Sequence, residues 1–173
     1  MKIRLAQIYA NSIVDGPGIR YAIYTQGCLH DCVGCHNPGT HALNQGYLMD
    51  TQDIIDEIKA KPHLNKITFS GGEPLLQVKA INEIIEGLEP NYQIIVYTGF
   101  TYEFLISSAG GNTHLMRLLH QIDYLIDGKF ILEQRDLTLL YRGSKNQRII
   151  DVKQSLSKRK VITTEIMHNN SSV

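Results

Sequence analysis

The segment NKITFSGGEPLLQVKAINEIIEGLEPNYQIIVYTGF, Asn65 to Phe100, contains a complete strand, helix and strand pattern. The run NKITFS predicts a buried strand over Asn65 to Ser70, and the run YQIIVYT predicts another over Tyr92 to Thr98. Between them, apolar residues at helical spacing predict a helix; they are Val78, Ile81, Ile84 and Ile85. Two strands joined by a helix predict a parallel pair with a right-handed crossover.

The same alternation continues on both sides of this segment. Further strands are predicted over Ile3 to Tyr9, Arg20 to Thr25 and Asp123 to Gly128. Further helices are predicted from Thr51 to about Ala60, capped by Asp50, and through most of Thr101 to His120. We therefore expect an α/β fold with a mostly parallel sheet, open or curled into a partial barrel, as a single domain over residues 1–167. Residues 168–173 are expected to form a flexible tail.

The charge balance excludes some classes of partner. Lysine plus arginine and aspartate plus glutamate number 17 each, so the chain has no basic footprint for nucleic acid or an anionic membrane. No secretory leader and no apolar segment of membrane-spanning length is visible. We expect a cytoplasmic protein, and that compartment keeps thiols reduced.

Polar, glycine-bearing turns follow each of the central predicted strands. They are Gly71-Gly72-Glu73-Pro74, Gly99 and Gly128-Lys129, and a cysteine-containing loop follows the strand that ends at Thr25. Because parallel strands end at the same edge, these loops should gather on one rim, where ligands of such sheets bind.

All three cysteines lie in one stretch, TQGCLHDCVGCHNP, Thr25 to Pro38. Cys28, Cys32 and Cys35 leave an odd thiol and are too concentrated for a disulfide framework. Zinc would need nitrogen ligands such as His30 and His36, which lie too close to the cysteines for the usual finger spacing.

An iron–sulfur cluster is the first interpretation and zinc the second. A four-iron cluster normally has four thiolate ligands, and here there are three. A metal site that keeps one position open is typical of catalysis, so the missing ligand indicates that the fourth iron binds something else.

C-x3-C-x2-C after an early strand and GGEP after a later one resemble the radical S-adenosylmethionine enzymes. The resemblance implies a partial (β/α) barrel and a [4Fe–4S] cluster held by Cys28, Cys32 and Cys35. It also implies that S-adenosylmethionine binds the open iron and is cleaved reductively to a 5′-deoxyadenosyl radical.

Further segments are similar to one group of glycyl-radical activases, the activating proteins of anaerobic ribonucleoside-triphosphate reductases. They are IVDGPGIR, CHNPGT, VYTGFTYE, DYLIDGKF and RGSKNQRIID. This resemblance implies a reductase partner that receives a glycyl radical and a low-potential electron donor such as flavodoxin. Gly34 before the third cysteine fits this group, whereas Tyr97 to Phe100 departs from the Asp-Thr-Asn-Gly segment of pyruvate formate-lyase activases.

The resemblance also implies roles for single residues. Gly71, Gly72 and Glu73 would hold the methionyl amino group, since glycines allow close approach and a carboxylate accepts from an amine. The backbone at Gly34 and His36 would contact the adenine or ribose.

Four more positions have a functional and a structural interpretation. The cofactor or its surroundings would be contacted by Asp127, Thr98 and Lys129. Lysine suits a carboxylate as a mobile charge. A solvated strand end explains these residues equally well. Asp15 would lie near the incoming substrate glycine, or it forms an Asp-Gly turn. The polar segment Arg142 to Arg148 is a cap, a docking surface or a catalytic element.

Three alternatives remain at this stage. The chain could activate another glycyl radical enzyme of the pyruvate formate-lyase type, or transform a small molecule as the deazapurine synthase does. It could also be a binding or electron-transfer module whose cluster or zinc is structural.

Overall fold

Strands and helices alternate along the chain and build one α/β domain in a computed structural model that describes residues 1–165. The tail predicted at residues 168–173 and the last two residues of the predicted domain lie outside this range. The strands are β1 (Lys2–Ser12), β2 (Arg20–Thr25), β3 (Tyr47–Asp50), β4 (Lys66–Gly71), β5 (Gln93–Tyr97), β6 (Tyr124–Asp127) and β7 (Arg148–Asp151). The helices are α1 (Thr51–Lys59), α2 (Val78–Glu86), α3 (Tyr102–Ala109), α4 (Thr113–Gln121) and α5 (Val152–Lys158).

The described strands form one sheet in the order β3-β1-β2-β4-β5-β6-β7. The central strands β2, β4, β5 and β6 are parallel neighbours, as the alternation of strands and helices predicts. The outer strands β1, β3 and β7 pair antiparallel, so the sheet is mixed, with a parallel centre. The parallel centre is the part that brings the loops after its strands to one edge.

The five helices pack on one face of the sheet, because successive side chains of each strand point to opposite faces and the apolar ones gather on that face. In β4, Ile67 and Phe69 are buried against the helices, while Thr68 faces the other side. A smaller apolar cluster on that second face contains Ile95, Ile126 and Ile149. One face therefore holds the main core and the other is left for polar and functional groups. Among the helices within residues 1–165, none combines the length and apolar composition of a bilayer-spanning helix.

The predicted elements are all present, with ends shifted by at most three residues, and three further elements are present that the sequence patterns do not predict. The sequence patterns missed β3, β7 and α5. Asp50 occupies the N-cap position of α1, yet its side chain makes no cap hydrogen bond. Instead the Thr51 N–H donates to the Met1 carbonyl oxygen at 2.8 Å, so the chain start satisfies the helix end.

A buried arginine fastens the second face. The Arg20 side chain is fully buried and donates to Thr68 Oγ1 at 2.6 Å, to the Ile67 oxygen at 2.8 Å and to both oxygens of Gln93 at 2.8 and 3.1 Å. Burial lowers the pKa of the guanidinium to about 10, which leaves it charged at neutral pH. Arg20 therefore ties β2 to β4 and β5 across the parallel centre.

Replacing Arg20 with Met should destabilise the fold by about 3 kcal/mol, because several buried oxygens lose their donor. Urea unfolding measures this difference. The matched control is Arg117→Met, which removes only a surface ion pair to Glu86 at 3.3 Å and should cost less than about 1 kcal/mol. Equal effects of the two substitutions would contradict the role given to Arg20.

Candidate functional site

The loops that follow β2, β4, β5 and β6 meet on one rim, as predicted. The Glu73 N–H donates to the Gly27 oxygen at 2.8 Å, which joins the GGEP loop to the cysteine loop. The Gly128 N–H donates to the Phe100 oxygen at 3.0 Å, which joins the loops after β5 and β6. These backbone bonds join the four loops in two pairs.

Gly71 is the residue that permits the closest of these approaches. Its φ is +98°, and a Cβ there would lie 2.6 Å from both the nitrogen and the oxygen of Thr25. No other residue type fits this conformation and this spacing without displacing β2. Backbone geometry alone therefore requires glycine at Gly71, whether or not a ligand binds there.

The cysteine loop presents three free, half-buried thiols on the rim. The Gly27 N–H donates to the Thr40 oxygen at 2.8 Å, and the Cys28 N–H donates to the His41 oxygen at 3.0 Å, so the loop is closed at its base. Gly34 and His36, the positions predicted to contact the adenine or ribose, are exposed beside the third cysteine.

Each thiol sulfur accepts a backbone hydrogen bond. Cys28 accepts from the N–H of His30, and Cys35 accepts from the N–H of Asn37 at 3.4 Å. Cys32 accepts from Phe130, which belongs to the loop after β6. Cluster thiolates are stabilised by such donors, so the residues present fit an iron–sulfur cluster.

The electrostatic environment of the thiols is mixed. Burial raises the pKa of Cys28 and Cys32, which disfavours a bare thiolate. The exposed Lys129 lies close enough to Cys32 to oppose this shift. A bound metal cluster would supply the positive charge that the thiolates need.

The histidines of the loop are engaged elsewhere. His30 is hydrogen-bonded to Glu73, and the His36 ring lies against Phe130 with centroids 5.2 Å apart. Among residues 1–165, no three or more His, Cys, Asp or Glu side chains are arranged around a point where one metal ion would bind. The four converging ligands of a zinc site are not found in that part of the chain.

Glu73 lies at the centre of the rim. Its carboxylate is 1% exposed and accepts from His30 Nε2 at 2.6 Å, Thr98 Oγ1 at 2.9 Å, the Gly99 N–H at 2.9 Å and the Leu75 N–H at 3.0 Å. Because a carboxylate only accepts, the His30 Nε2 atom carries the proton. The cysteine loop, the GGEP loop and the loop after β5 are thereby joined at one side chain.

This arrangement bears on the predicted role of Glu73. Four donors match the roughly four acceptor positions of a carboxylate. A direct contact with the methionyl amino group would need one of these donors to move, and that contact stays a prediction. In the structure, the contacts of Glu73 with Thr98 and its other donors join the loops of the rim.

Asp127 and Lys129 lie in different environments, one buried and one exposed. Asp127 is buried and accepts from Arg148 at 2.5 and 3.0 Å and from the Tyr102 N–H at 2.8 Å. Arg148 also pairs with Glu103 at 2.7 Å, and these two carboxylates raise its pKa, Asp127 more strongly. Asp127 therefore has structural partners, whereas Lys129 is the exposed charge beside Cys32.

Asp15 lies below the rim on the second face of the sheet. Its carboxylate is buried and accepts from Tyr24 Oη at 2.5 Å and from Ser12 Oγ. A cavity of about 460 Å³ is lined by Asp15, Tyr24 and Asn37 of the cysteine loop, among others. Asp15 is thus more than a surface turn, and its contact with a substrate stays a prediction.

Comparison with known proteins supports the cluster. Residues 14–150 match the family model described as a 4Fe-4S single cluster domain. Activating proteins of anaerobic ribonucleoside-triphosphate reductases are also similar: one from Salmonella typhi is 34% identical over 84% of this chain and 96% of its own length. One from Vibrio cholerae is 36% identical over 83% of this chain and 94% of its own length.

This chain belongs to the family of anaerobic ribonucleoside-triphosphate reductase-activating proteins. The resemblance noted in the sequence is confirmed, and the family is an iron–sulfur one rather than a zinc one. A relative from bacteriophage T4 is 29% identical over 83% of this chain, so the shared length is kept at lower identity. The matched residues 14–150 include every loop of the rim.

The sequence patterns gave two rim residues no role of this kind. By sequence His30 is only a possible zinc ligand, and Phe130 has no assigned role. The position of His30 within the cysteine loop was a signal for the first. Nothing local indicated the second, because Phe130 reaches Cys32 only through the folding of the loop after β6.

Replacing Glu73 with Gln should destabilise the protein by about 2 kcal/mol, because an amide nitrogen would face donors that need an acceptor. Thermal or urea unfolding of the cluster-free chain measures the change. The exposed Glu89→Gln is the matched control and should be close to neutral. A Glu73→Gln protein as stable as this control would refute the central role of the carboxylate.

Proposed function

We propose that this chain activates an anaerobic ribonucleoside-triphosphate reductase by generating a glycyl radical on it. The cofactors would be a [4Fe–4S] cluster bound by Cys28, Cys32 and Cys35 and a molecule of S-adenosylmethionine on the fourth iron. Relatives named as activators of that reductase, which this chain matches over most of its length, support the partner.

One observation carries the proposal: three thiols, each with a backbone donor, lie on the rim beside the GGEP loop. Three ligands leave one iron for a second cofactor, and the adjoining loop suits the amino acid part of that cofactor. When bound, these cofactors would supply one-electron reductive cleavage of the bond between sulfur and the 5′ carbon of S-adenosylmethionine, with methionine released and the 5′-deoxyadenosyl group left as the radical that takes a hydrogen atom from a glycine Cα.

The remaining residues would bind, orient and shield. The exposed backbone at Gly34 and His36 would receive the adenosine part, and Lys129 would attract the cofactor carboxylate. Gly71 and Gly72, held by Glu73 and Thr98, would approach the amino group. Asp15, in the cavity next to the cysteine loop, would meet the substrate glycine.

The proposal includes the architecture and the setting. Residues 1–167 would act as one activase domain whose sheet forms a partial (β/α) barrel. The helices packed on a single face, with Asp15, Arg20 and Tyr24 on the other, support a barrel interior on that second face. The protein would work in the cytoplasm, with a low-potential donor such as flavodoxin supplying the electron.

The deciding experiment mixes anaerobically reconstituted, reduced protein with S-adenosylmethionine and an anaerobic ribonucleotide reductase and records electron paramagnetic resonance spectra. We expect a glycine-centred doublet that requires all three components. A cluster signal that changes with S-adenosylmethionine but yields no doublet would keep the cofactors and overturn the partner. A doublet on a pyruvate formate-lyase type enzyme instead would support the nearest alternative.

Each single change of Cys28, Cys32 or Cys35 to Ala should abolish stable four-iron assembly, because two thiolates cannot hold the cluster. Iron and sulfide analysis with the absorbance spectrum measures this after anaerobic reconstitution. Zinc without iron in the wild-type protein, or full four-iron absorbance in any of these variants, would refute the three-cysteine cluster.

A further inference from the structure

The segment Arg142 to Arg148 is not a helix face but an irregular stretch that leads into β7. Gln147 Oε1 accepts from the N–H of Gly143 at 2.8 Å and of Ser144 at 3.2 Å, so one side chain closes the turn. The opposite end of the same amide, Nε2, donates to the Gly128 oxygen at 3.0 Å. Gln147 therefore links this turn to the loop after β6.

The neighbouring residue makes a parallel link. Asn146 Nδ2 donates to the Lys129 oxygen at 2.8 Å, one residue beyond the carbonyl that Gln147 holds. Ser144, which is fully buried, accepts from the Ile131 N–H at 3.2 Å. We call Asn146 and Gln147 the amide clamp, because together they fix successive carbonyl groups of the loop after β6.

The loop held by the amide clamp is in contact with the cysteine loop. The Phe130 N–H, next to the clamped Lys129 carbonyl, donates to Cys32 Sγ. The Phe130 ring lies 5.2 Å from the His36 ring, measured between centroids. Leu132 packs against Gly34, where a Cβ would lie 3.0 Å from Leu132 Cδ1.

Gly143 completes the contact from the other side. A Cβ at this position would lie 2.9 Å from Phe130 Cδ2 and 3.2 Å from His36 Cε1. The turn closed by Gln147 is therefore packed directly against the ring of the residue that donates to Cys32. A change in the turn has a short path to one cluster ligand.

We propose that Asn146 and Gln147 are positioning residues that set the reduction potential of the cluster by fixing the Phe130 N–H on Cys32 Sγ. The inference rests on the three-cysteine cluster of the proposed function. Hydrogen bonds to cluster sulfurs stabilise the reduced, more negative state and so raise the potential. The amide clamp thereby gives the polar segment before β7 a function at the metal centre.

The first test is Gln147→Met, which keeps the length and neutral charge of the side chain and removes its hydrogen bonds. Redox titration of the reconstituted cluster, followed by electron paramagnetic resonance, should give a midpoint potential more negative than that of the wild type. Hydrogen exchange of residues 128–132 in the cluster-free full chain should become faster. Gln154→Met on the exposed side of α5 is the matched control and should change neither measurement.

A second variant, Gly143→Ala, leaves the side chains of the amide clamp intact and pushes on Phe130. It should also lower the midpoint potential, while Gly111→Ala, where a Cβ meets nothing within 4 Å, should not. This variant keeps the test valid if Gln147→Met folds poorly.

Specific outcomes overturn the inference. Unchanged exchange in Gln147→Met would show that the amide clamp does not fix the loop, and faster exchange with an unchanged potential would show that the loop does not tune the cluster. Failure of the wild-type protein to assemble any four-iron cluster would instead overturn the proposed function. Exchange in the cluster-free chain would then still decide whether the amide clamp fixes the loop.

Discussion

The buried carboxylate of Glu73 is the interaction on which the rim depends. A carboxylate at 1% exposure must be compensated, and no lysine or arginine supplies this within the described residues. The compensation comes from His30 of the cysteine loop, from Thr98 and the Gly99 N–H of the loop after β5, and from the Leu75 N–H of the GGEP loop. Because the donors come from three loops, satisfying one charge requires these loops to come together, and the rim becomes a cooperative unit.

On the second face of the sheet, a buried side chain of opposite charge has a similar role. Arg20 is a buried cation whose donors reach oxygens on β4 and β5, as Glu73 is a buried anion whose acceptors reach three loops. One residue secures the strands and the other secures the loops that leave them. The helices pack on the first face mainly through apolar residues and so support both.

The sequence predicted the site better than the edges of the fold, for physical reasons. The parallel centre follows from apolar runs such as Ile94 to Tyr97 of β5, and the loops that follow parallel strands must share a rim. The edge strand β3 has only four residues, and β7 has only Ile149 and Ile150 as an apolar pair, so neither has a measurable period. Both are defined by pairing with β1 and β6, which is tertiary information.

The same distinction between local pattern and tertiary contact applies at the proposed metal centre. The proposed cluster ligands can be recognised locally, because Cys28, Cys32 and Cys35 lie within one turn-rich loop. The donor to the middle sulfur comes from Phe130, almost a hundred residues away, and that residue is held in turn by groups nearer the end of the chain. A local motif can therefore indicate which metal group a chain would bind, whereas the proposed control of its reduction potential depends on segments that only the folded chain brings to the sulfur.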